Sequence, residues 1–154
     1  MTEHAVGLDV NGLEAWSTGA PRPVVLMSEE RALIAYYVSG VPVDDGVGTA
    51  EFVDCLSLRM GSPNDEALGG HPLYGRGLEA YRLHEVVDSR WLSELRAIES
   101  AHPLAPAVPF EACRHFILTF HDSTVEAIAA TIEPGPTYPT MADAIGAHAA
   151  RLRL

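Results

Sequence analysis

The sequence predicts an α+β domain, a largely antiparallel sheet of about six strands with two helices packed against it. Three observations carry this. Short β-branched and aromatic runs alternate with period two and are divided by turn residues. Only two stretches, about 89–101 and 140–153, change to helical spacing behind a capping residue. The chain of 154 residues is 47% hydrophobic and 20% charged, the ordinary balance of a folded domain with one core.

Residues 1–20 hold acids, glycines and few apolar side chains, so a loose or peripheral start is expected. Arg22–Met27 and Arg31–Val38 read as a hairpin around the polar Ser28-Glu29-Glu30. The loop "SGVPVDDGVG" follows, and then "AEFVDCLSLRM" reads as a third strand. The next 17 residues, "GSPNDEALGGHPLYGRG", include five glycines and two prolines and exclude a regular element. "LEAYRLHEVV" is a fourth strand.

At Asp88 or Ser89 the period changes, and a helix with Trp91, Leu95 and Ile98 on one stripe runs until "PLAPAVP" ends it. "HFILTFHDSTVEAIAA" supplies strands five and six. The closing helix starts at Thr140, with Asp143 completing a capping box and Met141, Ile145, His148 and Leu152 on one face.

The net charge is −11, and all ten cationic side chains are arginine. Nucleic acid and anionic membranes are therefore disfavoured as partners, whereas a small molecule or a cationic or neutral partner protein fits. Without lysine, Schiff-base catalysis and a phosphate-loop lysine are excluded. No basic start precedes an apolar segment and no apolar run spans a membrane, so a cytoplasmic protein is expected. Cys55 and Cys113 are too few for a disulfide framework. The seven histidines show no metal-ligand spacing, and neither a metal nor another cofactor is expected.

Two stretches could form a site. If Asp122 and Ser123 make a two-residue turn, His121 faces Thr124, Thr119 faces Glu126, and Ile117 faces Ile128. His115, Ile117, Thr119 and His121 then share one face, with Phe116, Leu118 and Phe120 on the core side. That arrangement gives His121 as a general acid/base oriented by Glu126 or Asp122, with Thr119 and Thr124 binding a ligand. A hairpin end facing water explains the same residues. The second candidate is the 69–77 loop, where His71 and Tyr74 sit on glycine-rich backbone and Arg76 could clamp an anion.

"HPLYGRGLEAYRLHEVVDSRWLSELRAIESAHP" and "RHFILTFHDSTVEAIA" resemble a family of short bacterial proteins of unknown function, which has a His-Pro loop, a Gly-Leu strand, a Ser-x-Trp helix start and a hairpin close to "HFIFTFHDSTFE". The resemblance covers roughly residues 71–133, and Val125 stands where the family pattern has an aromatic residue. It implies that loop and hairpin form one unit, and it implies no activity.

Three readings follow: a small binding or accessory protein that uses the 69–77 loop and the 119–126 hairpin end; a cofactor-independent lyase, isomerase or cyclase acting through His121; and a structural module that forms a homo-oligomer through an open sheet edge.

Overall fold

Short strands with one apolar face become stable only when that face meets another sheet or a helix, and this chain uses both solutions. The computed structural model describes residues 2–39, 46–104 and 110–153. Among these, nine strands form two antiparallel sheets, accompanied by two α-helices, in an α+β domain. The strand number exceeds the six expected from sequence, because short edge strands carry too few residues to show a period.

In chain order the elements are β1 (His4–Gly7), β2 (Val24–Met27), β3 (Ala32–Tyr37), β4 (Val47–Val53), β5 (Ser57–Gly61), β6 (Leu83–Val87), α1 (Arg90–Glu99), β7 (Arg114–Thr119), β8 (Thr124–Ala129), β9 (Thr131–Pro134) and α2 (Met141–Leu152). One sheet has the order β1-β6-β7-β8-β5 and the other β2-β3-β4-β9. Their inner faces meet in one core, where Phe116, Leu118, Phe120 and Val125 pack with Ile34, Tyr36, Phe52 and Ile132. The outer face of the four-stranded sheet is covered by α2 through Ala35, Val47 and Ala144. The outer face of the five-stranded sheet is covered in two patches. Leu68, Leu73 and Leu78 of the long loop lie over Ala5, Val86 and Ile117. Leu92 of α1, with Phe110 and Cys113, lies over Ile128.

Several expectations need correction. The N-terminal segment is peripheral, as β1 is an edge strand, but not loose: β1 pairs with β6 along its whole length, and Trp16 is buried, edge-on to Tyr36 and tilted against Phe120, donating its indole N–H to the Thr119 carbonyl. The single strand expected over "AEFVDCLSLRM" is two. Asp54 adopts a left-handed conformation, φ 51°, and turns the chain from β4 in one sheet to β5 in the other. The fourth strand begins only at Leu83, after Tyr81 at φ 57°. The first helix turns Leu92 inward, leaving Trp91 and Leu95 half-buried and Ile98 67% exposed. The loop over 39–48 and the helix-ending stretch 103–109 fall largely outside the described residues.

The hairpin of β7 and β8 keeps the expected faces with a different register. Thr119 pairs with Thr124, Ile117 with Glu126 and His115 with Ile128, closed by the four-residue loop Phe120–Ser123. The shift from the two-residue turn is two positions, an even number, so every side chain stays on its predicted face.

Candidate functional site

The outer face of the five-stranded sheet carries a polar seam between its two apolar patches. Glu126, near the middle of β8, is opposite Arg59 of β5 in the ladder. The guanidinium grips the carboxylate with two hydrogen bonds, Nε to Oε2 at 2.8 Å and Nη2 to Oε1 at 3.2 Å. On the other side His115 Nε2 is 2.9 Å from Glu126 Oε1, and His115 Nδ1 is 2.7 Å from Ser89 Oγ. Trp91 closes the group, its ring edge-on to His115 and its face 4.1 Å from the Arg59 Cζ. Burial alone would raise the Glu126 pKa, but the hydrogen bonds from His115 and Arg59 outweigh it and bring it down from 4.5 to about 2.

An ionised Glu126 fixes one proton of the group. An ionised carboxylate only accepts, so His115 Nε2 carries a hydrogen and donates it to Glu126. In the tautomer with its hydrogen on Nε2, the imidazole accepts at Nδ1 from the Ser89 hydroxyl. Ser89 is also the N-cap of α1, where its Oγ accepts from the Leu92 amide at 3.1 Å.

His121 lies outside this seam. It stands in the hairpin loop with 38% of its side chain exposed, 3.1 Å from Asp122 Oδ1 and 3.8 Å from Asp65 Oδ2. Burial pulls its pKa down, but the Asp65 and Asp122 carboxylates prevail and raise it above 6.5. The pairing of His121 with Glu126 is therefore replaced by two separate pairs, His115 with Glu126 and His121 with Asp122. The physical reason is the longer turn, which takes His121 off the strand.

Loop and hairpin do meet. The Thr119 hydroxyl donates to the Glu79 carbonyl at 2.7 Å and accepts from the Arg82 amide at 3.0 Å. The Thr124 hydroxyl donates to the Pro63 carbonyl at 2.8 Å, and the Asp65 amide donates to the His121 carbonyl at 2.9 Å. Both threonine hydroxyls thus hold the loop rather than point at open space. His71 is half-buried, its Nδ1 accepting from the Leu73 amide. Burial lowers its pKa, with the charges of Glu126, Arg59, Glu3 and His115 acting on it as well. Tyr74 and Arg76 are exposed, and the Arg76 carbonyl receives the Ala5 amide.

Beside Tyr74 the loop folds around a groove of about 760 Å³. Asp65, Glu66 and Glu79 stand on its wall with Tyr74 and the apolar Leu68 and Leu78. Asp65 is mostly buried and accepts a hydrogen bond from the Tyr81 hydroxyl at Oδ2, with the Glu66 and Asp65 backbone amides also acting on its carboxyl. The Tyr81 bond, opposed by burial, and the nearby His121 keep the Asp65 carboxyl ionised below its usual range. Glu79 is neutralised by Arg82 at 2.8 Å.

Sequence reasoning missed Ser89, Arg59, Asp65 and Tyr81 as members of these groups, and it set His115 aside. Alternation placed His115 and Glu126 on one face; the Arg59 contact depends on a strand pairing that no local pattern reveals. No protein-family model matches this chain, and no curated protein or solved structure matches it either. Among the described residues no helix is long and apolar enough to cross a membrane.

Proposed function

We propose that this chain is a small binding or accessory protein whose loop groove receives a cationic side chain, arginine or lysine, of a partner protein. The single observation carrying the reading is the groove wall, where the Asp65 carboxylate, held ionised, and Glu66 stand beside the exposed Tyr74 ring. Carboxylates gain most from a charged donor. Tyr74, 56% exposed, offers the ring face that a guanidinium or ammonium stacks on. The charge of −11 draws a basic partner towards this surface over long range.

Burial raises the pKa of both thiols, Cys55 to about 11, so neither offers the thiolate of a cysteine nucleophile. The enzymatic alternative at His121 has less support, because Glu126 is engaged elsewhere and His121 is open to water. The homo-oligomer reading gains nothing specific from the sheet-edge strands β1, β5, β2 and β9, of which β1 is partly covered by the loop. Calorimetric titration with tri-arginine at low salt tests the proposal. Binding that weakens for both Asp65→Asn and Tyr74→Ala supports it. Equal heats for tri-arginine and tri-glutamate overturn it.

A further inference from the structure

We infer that Ser89 is a nucleophile served by a Ser89–His115–Glu126 relay, and that the cavity beside it accepts a small ester or thioester whose acyl part bears a carboxylate. This site is distinct from the loop groove and rests on none of its residues.

An N-cap serine needs only the bond from the helix amide. Ser89 has that bond and a second one, at 2.7 Å, to an imidazole that is itself held by a carboxylate; with the imidazole hydrogen on Nε2 the hydroxyl is the donor. Nucleophile, base and orienting acid thus lie in hydrogen-bond contact in sequence, the arrangement by which a serine hydroxyl is activated on unrelated folds. The two-pronged Arg59 grip holds Glu126 in place, and the Trp91 edge holds the imidazole. The chain reaches Ser89 through a strand–turn–helix corner: β6 ends at Val87, Asp88 sits in the left-handed region at φ 55°, and α1 begins at Arg90. Backbone strain of this kind recurs where a side chain must be aimed.

The corner opens onto a cavity of about 520 Å³, lined by Ser89 and His115 together with Val86, Leu92 and Arg96. The volume suits a small molecule. Arg96 uses one Nη2 donor on the Phe110 carbonyl at 3.1 Å, and no carboxylate of the described residues pairs with it. The other guanidinium on the wall, Arg114, is already matched by Glu85 at 2.6 Å. Arg96 is exposed and lines this cavity, so its guanidinium is open to a carboxylate on the acyl chain.

In the reaction, Ser89 Oγ bonds to the acyl carbon as its proton passes to His115 Nδ1. Glu126 stabilises the imidazolium through the Nε2 hydrogen. The carbonyl carbon–oxygen or carbon–sulfur bond then breaks, and the leaving atom takes the proton from Nδ1. Water enters by the same relay, giving the free acid and restoring the Ser89 hydroxyl. No oxidant or reductant is required.

The test incubates the folded wild-type protein with an alkyl fluorophosphonate and maps the adduct by peptide mass. One adduct on Ser89 is expected, formed on the order of 10²–10⁴ times more slowly in His115→Gln. Hydrolysis of the p-nitrophenyl half-ester of succinate should exceed that of p-nitrophenyl acetate, and Arg96→Ala should erase the preference. Wild-type protein unfolded in urea is the control, so the result does not depend on a variant folding. No adduct on Ser89 in the folded protein, or one that forms equally fast in urea, overturns the inference.

Discussion

A carboxylate in the middle of a covered sheet face survives only where neighbouring groups meet its charge, and Glu126 is met from both sides. Glu126→Ala leaves the buried His115 Nε2 without its acceptor, while Arg59 turns to water, and should destabilise the protein by about 1–3 kcal/mol in urea unfolding. Arg59→Ala takes two charge-assisted hydrogen bonds from the buried carboxylate and leaves it to His115 alone, and should cost about 1–3 kcal/mol. The pH dependence follows from the same pair. The Glu126 pKa is lower folded than unfolded, so its contribution is complete above about 4.5 and is lost as pH falls towards about 2. The urea midpoint of the wild type should decline through that window, and Glu126→Gln should flatten the decline.

The histidines give an independent check by NMR titration. His121 should titrate above 6.5, because Asp65 and Asp122 outweigh its burial, while His84 and His148 should titrate below, because burial dominates there. The raised His121 value makes its contribution to stability full below 6.5 and lost as pH rises past its folded pKa. At this scale period-two alternation made the shared face of His115 and Glu126 legible. Which histidine the glutamate holds was not, because that depends on the number of residues in the turn.

At the scale of elements, the hairpin and the two capped helices were readable because their signals are local: alternation within β7 and β8, and Ser89 and Thr140 accepting from amides three residues on. The split between β4 and β5 was not readable, since a left-handed aspartate resembles any other aspartate in a sequence. The docking of the N-terminus was equally hidden. It depends on Trp16 reaching Thr119, 103 residues away, and on Gly77. A Cβ on Gly77 would stand 1.9 Å from the Ala5 carbonyl oxygen, and its φ of 96° is strained for any other residue. Gly77→Ala should therefore detach β1 from the loop. Hydrogen exchange should speed up at residues 4–7 and 76–78, with the α2 amides unchanged. Trp16→Ala should act on the whole core instead and destabilise by about 3–5 kcal/mol.

Over the whole molecule, two sheets enclose one core, α2 covers the outer side of one sheet, and the loop with α1 covers the other. The fold class was legible because the hydrophobic pattern sets it. The division into two sheets was not, because pairing across long separations leaves no periodic trace. The same architecture explains why the candidate site lies where it does. The loop is fastened to the hairpin by Thr119, Thr124 and Asp65, so its groove stands on a rigid support.

An overall charge of −11 attracts any cation, so affinity alone does not locate a binding site, and attraction spread over the surface fades within a Debye length of about 8 Å at physiological salt. The most direct test is the location of binding. Tri-arginine should be titrated into ¹⁵N-labelled protein at physiological salt while amide shifts are followed. The account predicts saturable shifts concentrated at residues 65–80 and at His121 and Asp122, absent in Asp65→Asn. Small, unsaturated shifts scattered over all the acidic surfaces, unchanged in that variant, would contradict it.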